Sequence, residues 1–114
     1  MAALPPLSTD QLVNDSSDVV VAEVMKVKTW TERVKYGRDE FSVAMVKIAT
    51  VEKGKLQPGV LIEVHYRQTG SRAEGWAGPQ GQNSPLPEGE KVRLYLLKQE
   101  GVYRLLEPNG WTTP

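Results

Sequence analysis

Cysteine is absent from the chain. That excludes disulfide scaffolding, thiolate metal ligands and cysteine nucleophiles together. Histidine is almost as scarce: His65 is the single one, too few for a zinc centre built on two imidazoles. No cofactor or metal is therefore expected. The six serines include no Gly-x-Ser-x-Gly elbow, and the dispersed carboxylates give no pair with the separation a glycosidase needs. The glycines from Gly75 to Gly81 lack the Lys-Ser/Thr that completes a phosphate loop. Enzymatic activity is not expected. No run approaches the roughly 18 apolar residues of a membrane-spanning helix. The segment Met1 to Leu7 lacks the basic region and long apolar stretch of a signal peptide. An excess of positive charge is missing too: 14 Lys and Arg balance 14 Asp and Glu. Generic grip on nucleic acid through phosphate neutralisation is disfavoured by that balance.

What remains is the composition of an ordinary folded domain, 39% hydrophobic and 25% charged over 114 residues. One domain over residues 8–114, preceded by a tail at 1–7, is the expected organisation. Ser8-Thr9-Asp10-Gln11 reads as a capping box with Leu7 and Leu12 as a hydrophobic staple. It predicts a short helix ending near Asn14 to Ser17. From Val19 to Trp30, β-branched and aromatic residues predict a strand, and the alternation slips near Val24-Met25, which predicts a bulge. Glu40 to Val51 repeats the pattern, with an expected phase change between Phe41/Val43 and Ala44/Val46/Ile48. Gly37 is the turn candidate between them.

After the breakers Gly54, Pro58 and Gly59, a third strand is expected in which Val60, Ile62, Val64 and Tyr66 face inward and Glu63, His65 and Arg67 outward. Val92, Leu94 and Leu96 mark a fourth strand over Lys91 to Lys98, and Val102 to Leu106 a fifth, joined by a tight turn at Glu100-Gly101. The fold class is all-β with one short N-terminal helix: a five-stranded barrel with a long loop between strands three and four. That loop, Gln68 to Glu90, holds five glycines and three prolines. Loops of this length in compact domains are commonly functional or disordered.

The run Ser17-Asp18-Val19-Val20-Val21-Ala22-Glu23-Val24, the stretch Val46 to Gly54 ending in Lys-Gly, and Gly89-Glu90-Lys91-Val92-Arg93-Leu94-Tyr95-Leu96 occur in an order that resembles a known plan. It is similar to the oligonucleotide/oligosaccharide-binding (OB) type domain of tissue inhibitors of metalloproteinases and netrin modules, and to small bacterial envelope proteins of that plan, over residues 8 to 106. The resemblance implies an OB-like barrel and an extracytoplasmic, secreted or envelope setting. The inhibitors act through an N-terminal cysteine, which this chain lacks, so their mechanism and functional residues do not carry over.

Within the loop, Trp76 offers two readings: a plug folded over the barrel end, or an exposed platform on which a sugar, base or peptide stacks. Trp111 is expected as a lid. A ligand surface would comprise Tyr66, Arg67, Arg72, Trp76, Gln80 and Asn83. His65 reads as a surface residue. The expected function is that of a monomeric, non-catalytic binding or interaction domain, with a protein or carbohydrate as the partner at loop 68–90. The alternatives are a structural domain of an envelope protein without a ligand, and binding of single-stranded nucleic acid or oligosaccharide.

Overall fold

A computed structural model describes residues 6–34, 37–72, 81–82 and 84–114. The elements are α1 (Thr9–Asp15), β1 (Asp18–Val34), β2 (Gly37–Lys53), β3 (Leu61–Arg72), β4 (Lys91–Gln99), β5 (Val102–Leu105) and β6 (Trp111–Thr112). The capping box forms as its sequence predicts. The Gln11 N–H donates to Ser8 Oγ at 3.2 Å, and the Ser8 N–H donates to Gln11 Oε1 at 2.9 Å. One face of the helix buries Leu12 against Val19 and Tyr95, with Leu7 and Leu106 packed around them.

The strands close on themselves. β1 pairs with β2 and β2 with β3, all antiparallel; β3 meets β5 in parallel; β5 and β4 are antiparallel, and β4 returns to β1. The result is a barrel-like ring of five strands. β6 takes over beside β4 where β5 ends, pairing Trp111 with Leu94. Inward residues from every strand of the ring fill one core: Val20, Ala22 and Val24; Ala44, Val46 and Ile48; Val64 and Tyr66; Val92, Leu94 and Leu96; and Leu105. Fully burying each such aliphatic side chain contributes about 1.5–3 kcal/mol. Leu86 drops into this core from the returning loop, and Trp111 packs against its edge as the expected lid. Among the described residues, no helix is long and apolar enough to cross a membrane.

The bulge expected near Val24-Met25 is present as a register slip between Val24 and Lys26. Glu100-Gly101 makes the tight turn between β4 and β5, with positive φ at both residues (51° and 79°), as a two-residue hairpin turn matched to strand twist requires.

Three expectations are corrected. The phase change in β2 does not occur: Ser42, Ala44, Val46 and Ile48 point inward without interruption, so Phe41, Val43 and Met45 all stand on the outer face. Val60 is 42% exposed and precedes β3 rather than entering the core. Residues 68–72 are strand rather than loop, because the arm of β2 from Gly37 to Glu40 extends far enough to pair with them.

Candidate outer-face site

Cross-strand register sets out the outer face of β1, β2 and β3 in rows. Lys26, Met45 and Glu63 share one row, Lys28, Val43 and His65 the next, and Trp30, Phe41 and Arg67 the third. Residues directly opposite in antiparallel pairs lie close enough to touch. Trp30 and Phe41 do so as a stacked pair, ring centroids 6.4 Å apart and planes 23° from parallel. Trp30 stays 43% exposed, and its Nε1–H donates to Glu32 Oε2 at 2.6 Å, which steadies the indole.

Beside this pair, β3 and β5 remain in register only at Val64/Tyr103 and His65/Arg104 before β5 ends. A hollow of about 130 Å³ lies there, lined by Trp30, Phe41, Ser42, His65, Tyr66, Arg67, Arg104, Leu105 and Glu107. At about 30 Å³ per water molecule it is smaller than the ~300–1,000 Å³ of a cleft that swallows a small molecule. It can seat one edge or substituent of a larger ligand lying across the face. A second depression, of about 280 Å³ and lined by Lys26, Lys28, Val43, Met45 and Glu63, occupies the neighbouring rows.

Arg67 organises the wall of the hollow. Its Nη1 donates to Asp39 Oδ2 at 3.1 Å, while Nε and Nη2 donate to the two Glu107 oxygens at 3.0 and 3.3 Å. This fork ties β3 to β2 and to the chain just after β5, and it covers Asp39, whose side chain is 1% exposed. The Glu107 hydrogen bonds are the main cause that raises the Arg67 pKa above the ordinary arginine value; desolvation opposes them, and the charges of Glu107 and Asp39 add to them. The guanidinium is thus held charged and spent on structure. Ser42 is likewise engaged, its Oγ lying 2.8 Å from Thr29 Oγ1.

Of the residues singled out from sequence, Tyr66 and Arg67 come together at this hollow. Tyr66 is mostly a core residue, 6% exposed, whose hydroxyl accepts the Leu86 N–H at 3.2 Å. Arg72 pairs with Gly37 through the backbone, and its side chain lies outside the described residues. Trp76, Gln80 and Asn83 also lie outside the described residues. His65 lines the hollow, half-buried.

The returning end of the loop is pinned at the same place. Gly81 bridges Gln68, and the Gln82 N–H donates to the Arg67 carbonyl at 2.7 Å. The buried Gln82 amide then donates to the Leu106 carbonyl and accepts from the Gly110 N–H. Gly81 has φ +77°, and a Cβ there would sit 2.4 Å from the Arg67 carbonyl oxygen, so glycine is required.

Sequence reasoning missed Trp30, Phe41, Arg104 and Glu107. A signal for the first two existed: Val34 pairs with Gly37, and counting outward from that pivot places Trp30 opposite Phe41. Among the described residues, no cluster of three His, Asp or Glu side chains is placed to hold a metal ion. Compared with known protein families, with curated proteins and with solved structures, the chain matches none.

Proposed function

We propose that the chain is a non-catalytic binding domain whose ligand lies across the outer face of β1, β2 and β3. The observation that carries this reading is the half-exposed Trp30, stacked on Phe41 at the lip of the Arg67 hollow. A large aromatic left partly in water but fixed in orientation is a platform for a flat ring, whether a sugar face or a base. The ring closure β1-β2-β3-β5-β4, with β3 and β5 parallel, supports an OB-type reading. In that architecture the face of strands two and three binds oligonucleotides and oligosaccharides. The kinship with metalloproteinase inhibitors, netrin modules and bacterial envelope domains remains part of this proposal, as does an extracytoplasmic setting.

Charge favours the sugar over the nucleic acid. Arg67 is neutralised by Asp39 and Glu107, and Glu63 shares the row of Lys26, so among the described residues no uninterrupted basic track crosses the face. Lys26 and Lys28, both exposed beside Trp30, favour single-stranded nucleic acid as the second reading. Titration of the labelled protein with neutral oligosaccharides, oligothymidylate and unstructured peptides, followed by amide and indole NMR shifts, tests the site. Shifts concentrated at Trp30, Phe41, His65 and Arg104, and lost in Trp30→Ala, are expected. An oligonucleotide response that weakens steeply with salt would establish the second reading. Shifts confined to residues 84–90 would move the site to the loop, and no response from any ligand would make the domain structural.

A further inference from the structure

β1 leaves the ring before it ends. Its pairing with β4 stops at Glu23, and the last backbone bonds on that side join Val24 to Gly89 and Glu90. Among the described residues nothing pairs with that side of β1 from Lys26 to Val34. The groups exposed along this edge follow from register. Ile48 turns its N–H and carbonyl toward β3, bonding Val60 and Gly59, so the odd residues of β2 turn theirs toward β1. Met45, Val43, Phe41 and Asp39 are opposite Lys26, Lys28, Trp30 and Glu32. Val27, Thr29, Thr31 and Arg33 therefore present their N–H and carbonyl groups to the open edge.

A long free edge invites strand addition, and natural proteins commonly block it with lysine. Lys26 and Lys28 stand here, but so does Glu32, and their spacing is self-complementary. The geometry points to a second copy of this chain as the occupant: two β1 edges pair antiparallel about a two-fold axis at Trp30. In that register Val27 meets the partner's Arg33 and Thr29 meets the partner's Thr31, so all four edge-facing residues exchange hydrogen bonds. On the outer face, Trp30 meets its own copy at a close, non-hydrogen-bonded position, flanked on both sides by Lys28 opposite Glu32. Such an isologous contact closes as a dimer, because each copy spends its β1 edge on the other. Moving the axis to Thr29 would set Arg33 against the bulge at Met25 and lose those bonds. The dimer would unite two outer faces into one continuous sheet; it departs from the monomer expected from sequence and does not rest on the ligand reading.

Because the chain has no cysteine, one introduced cysteine reports the axis directly. Trp30→Cys is expected to form a disulfide-linked dimer under mild oxidation, whereas Thr29→Cys forms no disulfide cross-link, since only residue 30 faces itself. Sedimentation equilibrium of the unmodified chain up to about 1 mM, a range that captures a small, weak interface, should show a monomer–dimer equilibrium. Lys28→Glu replaces two attractions by two repulsions and should weaken it about tenfold. The exchange Lys28→Glu with Glu32→Lys should restore it. A monomer throughout, a dimer indifferent to Lys28→Glu, or cross-linking at residue 29 in place of 30 would each overturn the proposal. Sedimentation needs no ligand, so this failure is separate from failure of the binding site.

Discussion

Replacing Arg67 with methionine keeps an unbranched apolar stem as far as the position of Nε but removes the fork that joins three segments. Two of its hydrogen bonds go to Glu107, whose side chain is 28% exposed and can rehydrate, so their loss should cost no more than about 1 kcal/mol. The bond to Asp39 differs because that carboxylate is 1% exposed. Taking one hydrogen-bonding cation away from a buried carboxylate costs about 1–3 kcal/mol, and Arg67 is itself 31% exposed, which keeps the figure below that of a fully buried pair. The sum is about 1–4 kcal/mol, or a fall in Tm of roughly 10 °C at the middle of that range for a domain of this size. Urea denaturation followed by tryptophan fluorescence measures it. Asp39→Asn in the Arg67→Met background should recover at least about 1 kcal/mol, because the buried charge is gone. The Arg67 pKa is raised on folding, so its contribution is fully present below the pKa of an unfolded arginine and is lost only above it. Titration from neutral pH to mild alkali should leave the difference between wild type and Arg67→Met unchanged. A loss under about 0.5 kcal/mol, or a double-mutant cycle without coupling, would refute the account of the fork.

Gly81→Ala should cost about 2–4 kcal/mol, because positive φ is strained for alanine and its Cβ would push the Arg67 carbonyl away from the Gln82 N–H; thermal melts read the loss, and a Tm unchanged within error would contradict it. Tyr66→Phe removes the acceptor of the buried Leu86 N–H and should destabilise by about 1–2 kcal/mol, with faster exchange of the Leu86 amide. Glu100 holds φ 51° in the β4–β5 turn, so Glu100→Asn should stabilise the chain by about 0.5–1 kcal/mol in urea titration, and a loss of stability would show that the turn is not strained.

Local signals were legible where one short stretch of chain sets the structure. The Ser8/Gln11 reciprocity, the slip at Val24 and the Glu100-Gly101 turn depend on neighbours within a few residues. The inward set Val92, Leu94, Leu96 followed from period-two alternation beside a buried face. Alternation failed for residues 68–72, which are strand because β2 pairs with them and not because of an apolar pattern of their own. It also misled at Phe41 and Val43, which looked like inward residues in a new phase although they belong to an outer face with its own apolar column. Trp30 was legible as a strand former, but its role depends on Phe41, eleven positions away across a pivot. Arg67 meets Glu107 only because the ring closes, 40 residues later in the chain. The loop residues Trp76, Gln80 and Asn83 drew notice by composition, whereas the exposed aromatic pair sat unnoticed in regular strands.

The clasp at Gln82 has a practical side. Residues 68 and 81 are bridged at the base of the excursion, and one buried glutamine fastens that base to Leu106 and Gly110. The ends of the segment are therefore held by contacts that do not depend on how many residues lie between them. The fastening is one backbone bridge and one buried amide with no disulfide, so such a closure would hold unchanged in a reducing cell.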